Sequence, residues 1–457
     1  MLYSEDIKKC ESFVDLIGEI EPNYKLDIST DSRSINPGQT FLAITGEKFN
    51  AMNFLNSIVD KKVKLVIYTD TSENNQIVEK YKNDFVFIKT KNSILFLQEI
   101  TRILSDRFQD NGGKLIAISG SNGKTTTKEM LYHLLKTVHP ETICTQKNNN
   151  NHIGVPLTLL QITSKTKYAI VELGSNHPGE IETLCNIVNP KYGVTTNIGD
   201  THLEFFENRE NVFKEEGYLY YAVKNCGKEK NLFFQNIDDE FLQTLDREDF
   251  VSTYGLCPSD DQFFIDKEKL LIKNNSHEYT LNNRFITGKH NFYNLCLAFV
   301  VAKSLDPANT QKFISSCENF KPTANRSEWI VKDNSKIFLD AYNANPSSMR
   351  AAIDGFLDVA GKDYCLIIGD MNELGRGASK YHADLATELR GRGIKNIYFV
   401  GRHANDFQSG YSDAKVYSTA KELKSEFLKS ILNNYKYIFI KGSRSLQLES
   451  ILDITLH

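Results

Sequence analysis

"ISGSNGKTTTKEM" (residues 118–130) runs an apolar strand into a turn with two glycines, then a lysine, three threonines and the start of a helix. In the turn Gly120-Ser121-Asn122-Gly123-Lys124-Thr125, glycine lets backbone N–H groups converge on an anion. The helix N-terminus that follows adds the positive end of its dipole. Lys124 supplies a point charge for β- and γ-phosphates, and Thr125, with Thr126 beside it, offers a hydroxyl to Mg2+. The usual P-loop has its first glycine five residues before its second. Ile118 stands there in this chain, so the loop is a shortened variant. The loop indicates ATP or GTP without fixing a reaction.

The same pattern decides the fold. "KLIAIS" reads as a buried strand and 124–137 as a helix; "YAIVELG" (168–174) and "YGVTTNIG" (192–199) are further strands with a helix between them. Strands alternating with helices imply a parallel sheet. Short runs across 232–281 suggest a small antiparallel excursion, and a helix is expected over 290–304. Upstream, "TFLAI", "KLVIY" and "FVFI" alternate with helical stretches up to a polar, glycine-rich linker, "QDNGGK" (109–114). Downstream of "SLDPANT" (304–310), "KIFLDA", "YCLIIGD", "NIYFVG" and "YIFIKG" each precede a helical stretch, a second doubly wound sheet. The expectation is three α/β domains: 1–108, a central P-loop ATPase-type domain at 109–307, and a Rossmann-like domain at 308–457.

Bulk properties remove other classes. A net charge of -4 over 457 residues gives no basic field for nucleic acid. No apolar run reaches the roughly 18–20 residues of a membrane span, and the N-terminus lacks a signal-peptide core. The cysteines at 10, 144, 185, 226, 257, 296, 317 and 365 form no CxxC pair, so neither zinc nor a disulfide framework is indicated. A reducing cytoplasm fits.

A phosphoryl-transfer site needs metal ligands at neighbouring strand ends. Glu172 ends "YAIVELG" and His202 follows "YGVTTNIGDTHLE". Taken singly, each reads equally as a solvated carboxylate or a backbone-bonded histidine; their matching places favour function. The run "TQKNNNNHIGVPLTLL" (145–160), with Asn150 and Asn151, offers amides to phosphate, sugar or peptide, or is a polar loop.

Together these stretches resemble the Mur ligase family, on "GSNGKTTTKEM", "NNNNHIGVP", "ELGSNHPGEI", "NIGDTHLEFF" and "GKHNFYN". "LDAYNANPSSM", "IIGDMNELG" and "IKGSRS" narrow the resemblance to members that add D-Ala-D-Ala, and "TDSRSINPGQTFLAITGEKFN" is similar to their uridine-nucleotide domain. The resemblance implies ATP and Mg2+ as cofactors, and UDP-N-acetylmuramoyl tripeptide and D-Ala-D-Ala as substrates joined through an acyl phosphate by a cytoplasmic monomer. It places Lys124 at the transferring phosphate, Thr125, Glu172 and His202 at magnesium, and Asn294 at the adenine, unless Asn294 only caps its helix. Arg326 reaches ATP phosphates or forms a surface ion pair, and Asp340 accepts ribose hydroxyls. Asn343 and Asn345 lie near acceptor and nucleotide. Lys441, Ser443 and Arg444 hold the dipeptide carboxylate or make a turn, and Asp31, Ser32 and Arg33 face the uridine.

The pattern breaks at one catalytic position. Fourteen residues after the metal histidine the family carries a carbamylated lysine; counting from His202, that position is Glu216. Either Glu216 supplies the carboxylate directly, which is the preferred reading, or Lys214, two residues earlier, is modified. Ala51 also stands where the family usually has glycine. Other readings are a tripeptide-forming or folylpolyglutamate-type ligase, a P-loop switch protein, and a non-catalytic paralogue.

Overall fold

Leu115-Ile116-Ala117-Ile118 carries no charge and forms strand β1 (Lys114–Ser119), buried on both faces as an interior parallel strand must be. The computed structural model describes residues 1–256, 263–266, 271–274 and 277–452; Cys257 lies outside them. Strands β2 (Tyr168–Glu172) and β3 (Tyr192–Thr195) flank β1 in parallel. Helix α1 (Ser93–Asp110) leads into β1, α2 (Lys124–Val138) leaves it, and α3 (Glu180–Val188) returns β2 to β3. Helix α4 (Arg209–Glu216) follows β3.

The central sheet has nine strands in the order Ile143–Cys144, β2, β1, β3, Leu232–Asn236, Val251–Gly255, Phe263–Asp266, Leu271–Asn274, His277–Thr280. The expected antiparallel excursion begins later than the sequence suggests. Leu232–Asn236 and Val251–Gly255 pair in parallel and extend the main sheet; only the last two pairings are antiparallel. Both strands are almost wholly buried, which suits interior parallel strands. Helix α5 (Lys289–Leu305) covers this sheet against α2, with Leu295 to Ala302 buried all round. Each such Leu or Phe contributes about 1.5–3 kcal/mol.

A five-stranded sheet precedes it, in the order Phe13–Ile17, Val86–Thr90, Leu65–Thr69, Thr40–Leu42, Ile28–Ser29. A six-stranded sheet follows it: Glu328–Lys332, β4 (Ser335–Asp340), Tyr437–Lys441, Tyr364–Gly369, Ile397–Val400, Lys415–Tyr417. Helix α6 (Pro346–Ala360) leaves β4, with Asn345 as its cap and Pro346 at its first position. The architecture is thus three α/β units in chain order, each built on its own sheet.

Two junctions differ from the sequence reading. The expected linker at 109–114 is helical to Asp110, and Gln109 is buried. Gln109 Nε2 donates to the Asn189 carbonyl at 3.0 Å, and its Oε1 accepts the Lys191 N–H at 3.0 Å. Asn189 Nδ2 donates to Asp106 at 2.6 Å. Helix α1 is therefore fastened to the α3–β3 turn. At the other junction, Phe313, Cys317 and Phe320 belong to the core beneath α2 and α5. We place the division there after Phe320 rather than at 307.

Candidate functional site

The β1–α2 turn is held open by its glycines and from below by α4. Gly120 has φ +119°, and a Cβ there would meet Thr196 Oγ1 at 2.3 Å and Thr196 N at 2.8 Å. Only glycine fits that approach. The Gly120 N–H donates to Glu216 Oε2 at 2.7 Å, and Glu216 is 2% exposed. Lys124 Nζ donates to the Gly120 carbonyl and lies 3.7 Å from Glu216 Oε1. Asn197 brackets Asn122, accepting its N–H at 3.2 Å and donating to its carbonyl at 2.9 Å.

Beside the turn, Glu172 Oε1 accepts Thr125 Oγ1 and Asn150 Nδ2, each at 3.0 Å. Its Oε2 is buried and accepts no hydrogen bond; the Lys128 ammonium, itself fully buried, is 3.7 Å away. Lys128 Nζ is fixed by the Thr145 carbonyl at 2.6 Å and by Glu129 at 2.8 Å. A buried carboxylate oxygen that accepts no hydrogen bond, next to a hydroxyl, fits Mg2+, which takes a few hard oxygens from protein and the rest from phosphate and water. Among the described residues, no three His, Cys, Asp or Glu side chains close on one point. Glu172, His202 and Glu216 therefore form no joint cage. His202 Nδ1 stands 2.7 Å from Glu373 Oε2, which comes from the third-sheet side. The histidine holds the Glu373 carboxyl below its usual pKa.

Lys124, Thr125, Glu172 and His202 face a cavity of about 860 Å³; Glu216 lies behind its wall. Its walls include Ser121, Asn122, Gly123, Lys124, Thr125, Thr126, Asn150, Asn151, Glu172, His202 and Asn294 from the central sheet. Arg326, Asp340, Asn343, Asn345 and Lys441 come from the third-sheet side. Arg326 stacks its guanidinium 3.9 Å from the centre of the Tyr342 ring. Asp340 Oδ1 accepts the Ser327 N–H at 3.2 Å, and its Oδ2 pairs with Lys441, whose ammonium also donates to the Asn343 carbonyl at 2.9 Å.

Several expected contacts are otherwise engaged. Ser443 is buried, and its Oγ accepts the Asn372 N–H at 2.9 Å, a loop brace. Arg444 pairs with Glu449 outside the cavity wall. Lys441 lines the cavity with its charge already matched by Asp340, because a buried ammonium needs a partner. Asn345 spends its amide on capping α6 and on Asn122. Asp31 and Arg33 form an exposed ion pair on the first sheet, and Lys61 donates to the Ser32 and Arg33 carbonyls. Lys214 is exposed and donates to Asn211 at 3.3 Å, away from the cavity.

Sequence reasoning missed Glu215, Lys128, Asn197 and Glu373. Glu215 is buried and accepts from Ser175 Oγ (2.8 Å), Gly179 N (2.7 Å) and Ile181 N (2.7 Å), fixing the loop after Glu172. Its only signal is its place beside Glu216.

A strand–loop–helix phosphate cradle closed over by a second α/β sheet is the arrangement of a nucleotide-dependent enzyme, and the matches to known families make that enzyme an ATP-dependent ligase. Residues 118–302 match the Mur ligase middle domain, and 325–444 match the Mur ligase glutamate ligase domain. The chain belongs to the Mur ligase family. It is similar to UDP-N-acetylmuramoyl-tripeptide–D-alanyl-D-alanine ligase of Bacillus subtilis, 29% identical over 93% of this chain and 92% of that one. The enzyme of that name from Borreliella burgdorferi is 29% identical over 99% and 98%. MurF from Acinetobacter baumannii superposes with a TM-score of 0.82 at 25% identity, over 98% of this chain and 97% of that one.

Proposed function

We propose that this chain joins D-Ala-D-Ala to the terminal carboxylate of a UDP-N-acetylmuramoyl tripeptide, consuming ATP and releasing ADP and phosphate. The observation that carries this reading is the single cavity in which Lys124, Thr125 and Glu172 face Arg326, Asp340 and Asn343. The names of the full-length relatives supply the substrates.

A carboxylate resists amines because its charge repels electrons and oxide is a poor leaving group. Transfer of the γ-phosphoryl group forms a carboxylate O–P bond as the Pβ–O–Pγ bridge breaks. The dipeptide amine then attacks the acyl carbon, phosphate departs with the C–O bonding pair, and the amine loses a proton. Lys124 and the loop N–H groups stabilise charge on the transferring phosphoryl group. Thr125 and Glu172 would hold Mg2+, which supplies charge neutralisation at the phosphates when bound. Asn294 borders the loop: its Oδ1 would lie 2.8 Å from a Cβ at Gly123. Asp340 remains the acceptor for ribose, and Asp31, Ser32 and Arg33 face the uridine from the first sheet. Glu216 gives a permanent carboxylate beneath Lys124, without CO2. Arg326 and the third sheet exclude water from the hydrolysable intermediate.

One chain supplies every residue invoked, so a monomer suffices, and both ATP and the UDP-linked precursor place the reaction in the cytoplasm. No helix among the described residues is long and apolar enough to cross a membrane. Phosphate release measured with both substrates, either one, or neither tests the reading. Release and pentapeptide formation require both. Full-rate hydrolysis without them, or binding without turnover, overturns it.

A further inference from the structure

The third sheet touches the phosphate loop itself. Asn345 Nδ2 donates to Asn122 Oδ1 at 2.7 Å, Asn122 Nδ2 donates to Ser347 Oγ at 3.0 Å, and Ser347 Oγ donates to Asn345 Oδ1 at 3.0 Å. Three side chains thus close a ring of hydrogen bonds between residues more than two hundred positions apart. Gly199 lies against the ring: a Cβ there would be 3.0 Å from Ser347 Oγ and 3.1 Å from Asn122 Nδ2.

Both ends of the ring are anchored. The Asn122 main chain is bracketed by Asn197, and its carbonyl also accepts Thr196 Oγ1 at 2.6 Å. Asn345 Oδ1 accepts the Ser348 N–H at 2.8 Å, so the same amide caps α6. Asn122 sits between Ser121 and Gly123 inside the cradle, where an amide could otherwise turn to phosphate. Its side chain is committed to the other sheet. Docking of the third sheet and the shape of the loop therefore bias one another, and such coupling is reciprocal.

We propose that Asn345 and Ser347 are positioning residues that act through Asn122, so that the loop reaches its transferring geometry when the third sheet is seated on it. This rests on reading residues 120–126 as the ATP phosphate loop. The ring links phosphoryl transfer to closure and keeps ATP from being spent on water while the cleft is open.

The test is a double-mutant cycle on the full chain: Asn122→Ala, Asn345→Ser, both together, and Ser347→Ala. Serine at 345 keeps the helix cap but is too short to reach Asn122, and alanine suits the second position of α6. With both peptide substrates present, each single change lowers kcat about 5- to 10-fold, the worth of one net hydrogen bond. ATP-analogue affinity, titrated separately, stays within about 2-fold, and small-angle scattering with the analogue shows a larger radius. The double variant is no slower than the worse single, because the pair acts as a unit. If Asn345→Ser melts early, Ser347→Ala carries the same comparison from the same ring. Multiplicative losses in the double variant, or weakened analogue binding with kcat unchanged, would overturn the proposal. Wild-type protein that bound no ATP analogue would instead remove the reading of the loop.

Discussion

Glu216→Gln takes one negative charge from beneath the phosphate loop while leaving an oxygen to accept the Gly120 N–H. The wild-type carboxylate is 3.7 Å from the Lys124 ammonium, and the side chains are 2% and 14% exposed. At an effective dielectric of about 20, that separation corresponds to roughly 4–5 kcal/mol before desolvation and solvent screening. Stranding one partner of a fully buried pair costs about 3–5 kcal/mol. The lysine end is partly wetted and keeps its bond to the Gly120 carbonyl, so we expect a loss of about 2–3 kcal/mol. For a unit the size of the central sheet and its helices this lowers the melting midpoint by about 5–10 °C. The assay is phosphate release with both substrates in CO2-depleted and bicarbonate buffers, run beside thermal melts, for wild type, Glu216→Gln and Lys214→Ala. Wild type and Lys214→Ala perform alike in both buffers. Glu216→Gln is slower by at least about 10-fold, and bicarbonate does not restore it. A bicarbonate requirement in wild type, an inactive Lys214→Ala, or a Glu216→Gln that melts and turns over normally would refute the fixed-carboxylate argument.

Gly120→Ala forces a Cβ to 2.3 Å from Thr196 Oγ1 at φ +119°, so it abolishes ATP-analogue binding, read by titration on whatever folded protein is recovered. Removing divalent metal with chelator stops phosphate release, and Glu172→Gln raises the magnesium concentration for half-maximal rate by about 10-fold or more; an unchanged magnesium curve would take Glu172 out of the metal site. Burial pushes the Asp6 carboxyl up, but Arg107, the Tyr3 N–H and Lys9 outweigh it and hold it at about 2. That folded value lies below the unfolded one, so the stabilisation is full above about pH 4 and is lost as pH falls toward 2. Urea midpoints of wild type and Asp6→Asn should therefore differ at pH 7 and converge on acidification; a gap constant with pH contradicts the assignment.

The phosphate loop was legible because its chemistry is local: glycines for backbone angles, a lysine and a hydroxyl at fixed offsets, a strand before and a helix after. The four apolar C-terminal runs were legible for the same reason, whereas Glu328–Lys332 and Lys415–Tyr417 carry lysines and mixed burial that hide an edge position. The short runs across 232–281 read as an antiparallel excursion because each is brief and bounded by turn residues, and Val251–Gly255 ("VSTYG") carries too few apolar residues to stand out. The segment 237–250 is nevertheless long enough for the crossover a parallel pair needs. What no local pattern contains is pairing across the chain. Ser443 reads as a ligand or a turn, and its hydroxyl braces the Asn372 loop; Glu215 carries no local sign that it holds a loop; Glu373 meets His202 only across the two sheets.

Helix α1, eighteen residues of rod fastened to the α3–β3 turn, has a further implication. At 1.5 Å per residue it spans about 27 Å. Tied at its far end by Gln109 and Asp106, it fastens the first sheet to the foot of the central sheet, where β1 and β3 begin. On the proposed function, a nucleotide held by the first sheet would present its peptide from a base fixed to the central sheet. A precursor one residue short would then leave its acid group before the phosphate, so the length of the acyl donor would be read as a distance.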